Sequence, residues 1–164
     1  MTADAFLSRL VAMLDAAGIP HMLAGSFASA FHGAPRTTQD IDFVVDPSGE
    51  EELLSFVSQA SSGGYYVDAG HARDAFRRRR QFNVVDAASG WKADLIIRKE
   101  RPFSREEFRR RLSTRVLGVD TFVASAEDVV LSKLEWRPRR APTDSSPTWK
   151  GSYGQRATPW TVRI

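Results

Sequence analysis

Leu23-Ala24-Gly25-Ser26-Phe27-Ala28-Ser29-Ala30-Phe31-His32-Gly33-Ala34-Pro35-Arg36-Thr37-Thr38-Gln39-Asp40-Ile41-Asp42-Phe43-Val44-Val45 is the stretch that decides the fold. It begins at the end of a short apolar strand, Ile19 to Ala24. Gly25 and Ser26 make a tight turn into a short helix of small residues, and a polar loop follows from Ala34 to Gln39. A second strand runs from Asp40 to Val45 and stops at Asp46-Pro47. Residues two apart on a strand point to the same side, so Asp40 and Asp42 would face one site while Ile41 and Phe43 face the core. Two converging carboxylates offer the hard oxygen ligands that Mg²⁺ takes, leaving further positions for water and phosphate. The pair alone is weak evidence: with 12 Asp in 164 residues, chance supplies about 0.9 Asp-x-Asp pairs.

Context strengthens it. Upstream, the Gly25-Ser26 turn can turn backbone N–H groups and a hydroxyl toward a phosphate. Downstream, Asp94 stands in Lys92-Ala93-Asp94-Leu95-Ile96-Ile97, where a buried carboxylate has to be paired, hydrogen-bonded or bound to a metal. Three strand carboxylates and a Gly-Ser turn suit a two-metal phosphoryl-transfer site.

The remaining pattern is α+β. Residues 3–17 place Phe6, Leu7, Leu10, Val11 and Leu14 at helical spacing before Gly18 and Pro20. Residues 48–60 read as a helix with an acidic first turn, Glu50 to Glu52. Strands are predicted at Tyr65 to Asp68, Gln81 to Asp86 and Trp91 to Arg98, the last two joined by a hairpin at Ala87 to Gly90. A helix at 104–112, an extended pair from Arg115 to Ala124 around Gly118, and a helix capped by Ser125 and Asp128 and running to Trp136 complete the body.

Beyond Trp136 the sequence is rich in proline and basic residues and shows no periodicity. Residues 137–164 hold six Lys or Arg and one Asp, a net of +5, so residues 1–136 carry −2 of the total +3. We therefore read a domain at 1–136 and an irregular tail at 137–164, either a flexible basic end or the product of a frame shift. No cysteine is present, which excludes disulfides, Cys-based zinc sites and thiol nucleophiles. Asp4, Arg9 and Asp15 interrupt the apolar positions of the first 20 residues, so neither a secretory signal nor a membrane span is expected there. A soluble cytoplasmic protein is the expectation.

Residues 23–45 resemble the core motif of the nucleotidyltransferase superfamily that includes DNA polymerase beta. The 13 residues between Ser26 and Asp40 suit that motif, and Asp94 matches its third carboxylate. Arg36 to Asp42, the Phe82 to Ile97 hairpin and the Ala126 to Trp136 helix resemble more narrowly the small bacterial nucleotidyltransferases of the AbiEii toxin type. The resemblance implies a nucleotidyltransferase fold, a mixed sheet flanked by helices. It also implies transfer of a nucleoside monophosphate from an NTP to a hydroxyl, of a tRNA end or of a small molecule, with a cognate antitoxin protein as partner.

Carried over by position, the resemblance makes Asp40, Asp42 and Asp94 the catalytic set that holds two Mg²⁺ ions. Gly25 and Ser26 would contact the triphosphate, Arg36 and Thr38 would shape the nucleotide pocket, and Lys92 and Lys133 would meet phosphates. Arg73 and Arg77, Arg78, Arg79 and Arg80 form the strongest basic cluster of the body. They read equally as a phosphate-contacting edge for RNA or as a solvated helix end or strand edge neutralised by Glu50 to Glu52. His21, His32 and His71 lack ligand spacing. The alternative to an enzyme is a catalytically silent member of the fold that binds nucleotide, RNA or a partner protein.

Overall fold

The computed structural model describes residues 1–33 and 40–135. Arg36, Thr38, Trp136 and the tail at 137–164 lie outside them. Among the described residues six strands form one sheet in the order β3-β4-β2-β1-β6-β5. The strands are β1 (His21–Leu23), β2 (Asp40–Val45), β3 (Gln81–Val85), β4 (Lys92–Ile97), β5 (Leu112–Val116) and β6 (Val119–Val123). The sheet is mixed: β2 runs parallel to β4 and β1 parallel to β6, while β1–β2, β3–β4 and β5–β6 are antiparallel. The helices are α1 (Ala3–Ala16), α2 (Gly25–Phe31), α3 (Glu50–Ser62), α4 (Ala69–Arg78), α5 (Pro102–Arg109) and α6 (Ala126–Glu135). None is long and apolar enough to cross a membrane.

Alternation along β2 and β4 separates the two faces of the sheet. Ile41, Phe43 and Val45, with Ala93, Leu95 and Ile97, are fully buried. They share one core with Phe6, Leu7, Leu10 and Leu14 of α1 and Leu53, Phe56, Val57 and Ala60 of α3. Removing this much apolar surface from water is the main stabilising term. The intervening residues, Asp40, Asp42 and Val44 beside Lys92, Asp94 and Ile96, line the other face. The core thus fixes the register that brings the polar residues together.

Two sequence expectations are corrected. Tyr65 to Asp68 is not a strand: only a single bridge, Tyr66 to Val85, joins it to the sheet. After it comes α4, which the pattern did not predict. The expected helix at 104–112 ends at Arg109, because Leu112 already opens β5. At α6 the cap is formed as expected, with Ser125 Oγ accepting from the Asp128 backbone N–H at 3.2 Å and donating to Asp128 Oδ2 at 2.8 Å. The Arg110 guanidinium also reaches the fully buried Asp128 carboxylate, at 2.5 Å.

His21 is a histidine committed to the core. It is 3% exposed, its Nδ1 lies 3.1 Å from the Ile19 carbonyl oxygen, and its Nε2 is buried without a hydrogen-bond partner. The neutral tautomer protonated at Nδ1 donates to Ile19 and leaves Nε2 a bare acceptor. Burial pushes its pKa below the ordinary 6.5, outweighing the Ile19 carbonyl and the Asp15 carboxylate, while Arg111 adds to the depression. The unfolded chain then binds a proton more readily than the folded one, so stability is full above about pH 6.5 and falls as the pH drops below it. Thermal melts between pH 8 and 5 should show a steeper acid loss for the wild type than for His21→Leu. Equal losses would mean that other groups govern the acid limb.

Candidate active site

The site is built at the point where β1 ends against β2. The Ala24 N–H donates to the Asp42 carbonyl at 2.9 Å, which sets Gly25 directly beside the Asp42 side chain. Gly25 has φ +55°, and a Cβ placed there would lie 1.9 Å from Asp42 Oδ2. Only glycine suits both the left-handed backbone and the close approach. The next amide, Ser26 N–H, points to the same Oδ2 at 3.4 Å. The Gly-Ser turn and the Asp-x-Asp strand are therefore two sides of one small cleft.

Across the parallel β2–β4 pair, Asp40 is opposite Lys92 and Asp42 is opposite Asp94. This in-register placement joins residues about fifty positions apart. Lys92 Nζ lies 3.3 Å from Asp94 Oδ1 and 3.6 Å from Asp40 Oδ2. Asp94 Oδ1 is buried, and Lys92 is its ion-pair partner. Burial raises the Asp42 pKa, and the Asp94 and Asp40 charges add to it, against the opposing effects of the Ser26 amide and Lys92. For Lys92, desolvation lowers the pKa, but the Asp94 and Asp40 carboxylates together outweigh it and the net shift is upward. The Asp42 shift is chiefly the effect of burial, and the net Lys92 shift that of the two carboxylates beside it.

Among the described residues no group of three or more His, Cys, Asp or Glu side chains forms a ready metal cage. That is compatible with Mg²⁺, which is usually held by one or two carboxylates and completes its shell with water and substrate phosphates. The carboxylates of Asp42 and Asp94, side by side in register on one face of the sheet, are the hard oxygen donors such a cation takes.

A cavity of about 370 Å³ opens from these carboxylates. Val44, Ile96 and Ala124 line it, together with Ser104 and Glu107 of α5 and Val129, Ser132 and Lys133 of α6. Lys133 Nζ donates to Ser29 Oγ at 2.5 Å, and Ser29 Oγ donates to the Gly25 carbonyl at 2.8 Å. The expected basic residue of the last helix is thus delivered to the Gly-Ser turn. Ser29 was missed by sequence reading, although its position one helical turn after Gly25 is a usable signal. Glu107 was missed as well. It is nearly buried and accepts from Ser132 Oγ at 2.8 Å. Burial raises its pKa despite that bond.

The arginine cluster is placed elsewhere. Arg73 and Arg77 both pair with Glu50 of α3, at 2.6 and 3.0 Å, and Arg78 pairs with Asp74. Arg79 pairs with Glu100 at 2.8 Å, and Arg80 is exposed before β3. The pairing with Glu50 follows the neutralised-helix reading of this cluster.

No family model matches the chain, and no curated protein matches it in sequence. Solved structures do match in fold. The lincomycin-bound lincosamide antibiotic adenylyltransferase LnuA aligns with a TM-score of 0.55 at 10% identity, over 88% of this chain and 90% of that one. The antibiotic-resistance factor ANT(2'')-Ia aligns with a TM-score of 0.51 at 14% identity, over 85% of this chain and 76% of that one. The mixed sheet flanked by helices is the nucleotidyltransferase fold.

Proposed function

We propose that the protein is a Mg²⁺-dependent nucleotidyltransferase that moves a nucleoside monophosphate from an NTP to a hydroxyl acceptor. The observation that carries this is the register-matched Asp42–Asp94 pair, with Asp40 beside it and Gly25 pressed against Asp42. Asp40, Asp42 and Asp94 would hold the metal. When bound, Mg²⁺ supplies neutralisation of the triphosphate and of the charge that develops on the entering and leaving oxygens. Gly25 and Ser26 bound the cleft in which the phosphates would lie, and Lys133, fixed through Ser29, brings a positive charge to the same turn. Arg36 and Thr38 would complete the nucleotide pocket from the loop before β2.

The acceptor hydroxyl oxygen attacks the α-phosphorus, the bond to the bridging oxygen breaks, and pyrophosphate departs. Asp94, which would complete the metal site, would also polarise the attacking hydroxyl, whose proton passes to a carboxylate of this set. The cavity beside it, lined by both apolar and polar residues, suits a small hydroxylated molecule, and LnuA, the fold neighbour, is an antibiotic adenylyltransferase. A tRNA end and an antitoxin partner rest on the AbiEii resemblance alone, since the arginines that would hold RNA are largely engaged with Glu50, Asp74 and Glu100.

The purified protein should transfer label from an α-³²P-NTP in a Mg²⁺-dependent manner, and the transfer should be lost in Asp94→Asn. Offering total tRNA in one arm and a panel of hydroxylated amines in the other separates the two acceptor classes. Nucleotide binding without transfer in either arm would overturn the enzymatic reading in favour of a silent fold member.

A further inference from the structure

We infer that Lys92 is an internal counter-ion of the carboxylate set, occupying the space between Asp40 and Asp94 until a divalent cation arrives together with a nucleotide. The inference rests on the proposed metal role of these carboxylates and adds a function for a residue otherwise expected to meet phosphate.

The Lys92 ammonium is 3.3 Å from Asp94 Oδ1 and 3.6 Å from Asp40 Oδ2, with the Lys side chain 30% exposed and Asp94 only 16%. Mg²⁺ binds carboxylate oxygens at about 2.1 Å, so an ion on Asp94 Oδ1 would stand no farther than about 5.4 Å from the ammonium unless Lys92 moved. Like charges that close in a half-buried cleft repel appreciably. A bare cation must therefore break two ion pairs and displace a charge. A metal–triphosphate faces a smaller barrier, because its phosphate oxygens supply the missing metal ligands and give Lys92 a new anionic partner. The unbranched lysine stem, open on one side to solvent, can make that swing. Metal uptake is thereby coupled to nucleotide, and the site stays closed to cations alone.

The test measures Mn²⁺ binding by electron paramagnetic resonance, with and without a non-hydrolysable NTP analogue, alongside thermal melts. Wild-type protein should bind bare Mn²⁺ weakly and bind it well with the analogue. Lys92→Met should bind bare Mn²⁺ about tenfold more tightly, show weaker coupling to the analogue, and melt lower without metal, with Mn²⁺ restoring the difference. Lys92→Gln also removes the charge and should show the same gain, which preserves the test if the Met variant does not fold, while Lys92→Arg retains the charge and should keep the weak bare affinity. Lys99→Met removes a charge from the same cavity without removing an ion pair to these carboxylates, and should leave bare Mn²⁺ affinity within twofold. Equal affinities in wild type and Lys92→Met, or the same gain in Lys99→Met, would overturn the counter-ion role. Absence of Mn²⁺ binding in every protein, even with the analogue, would instead bring down the metal reading of the three carboxylates and this inference with it.

Discussion

Asp42→Asn should reduce nucleotidyl transfer by at least about a thousandfold while leaving the melting temperature equal to that of the wild type or higher. The two halves of this expectation have the same cause. Asp42 is pressed into the cleft by Gly25, is disfavoured as an anion by burial, and has Asp94 and Asp40 as like-charged neighbours. Asparagine keeps the shape and can still accept from the Ser26 amide through Oδ1, so the fold loses nothing and is relieved of repulsion. What disappears is the negative charge that a metal–triphosphate needs. The variant should also fail to take up Mn²⁺ in the presence of a nucleotide analogue. Retained transfer would remove Asp42 from the catalytic set, and a fall in melting temperature of ten degrees would make the activity loss a folding effect.

What the sequence disclosed and what it hid divide along the range of the interactions. The strand, Gly-Ser turn, short helix and Asp-x-Asp strand were legible because each is set by neighbours in the chain: alternation on β2, the small residues of α2, the Asp46-Pro47 stop. The pairing of Lys92 with Asp40 was not, because it arises from the parallel β2–β4 register across some fifty residues. Lys92 could be placed on the face of Asp94, yet its actual partners depended on which strand lay alongside. Helix α4 escaped for local reasons. Its fully buried residues are Ala72 and Ala75, with Phe76 partly buried against the core, a narrow apolar stripe among Arg, Asp and His. Its stop signal is also disguised: Arg79 takes the left-handed conformation, φ 51°, where glycine is the usual marker. One cue was present, Asp68, whose carboxylate caps the helix by accepting the His71 N–H at 2.8 Å. Reading that cap would have put Arg73 and Arg77 on a helix face opposite Glu50.

Gly25→Ala should be the most destabilising single methyl addition at the site, and the reason can be separated into two parts. An alanine at φ +55° costs roughly 1–2 kcal/mol for the left-handed backbone. Its Cβ would also overlap the Asp42 side chain, at 1.9 Å from Oδ2, 2.6 Å from Cγ and 3.0 Å from Cβ, and such overpacking typically costs about 1–3 kcal/mol. Together they amount to about 3 kcal/mol, or a melting temperature lower by roughly 6–12 °C for a chain of this size. Transfer activity should fall by at least about a hundredfold, because a carboxylate displaced by an ångström no longer meets its ligand geometry. A double-mutant cycle distinguishes the two parts. Asp42→Ala removes Oδ2 and Cγ and leaves only the 3.0 Å approach to Cβ, so adding Gly25→Ala in that background should cost little beyond the backbone part. The difference between the two backgrounds, about 1–2 kcal/mol, measures how tightly the turn is closed on the carboxylate. An equal cost in both would mean that backbone conformation alone requires the glycine, and that the close approach to Asp42 contributes nothing to it.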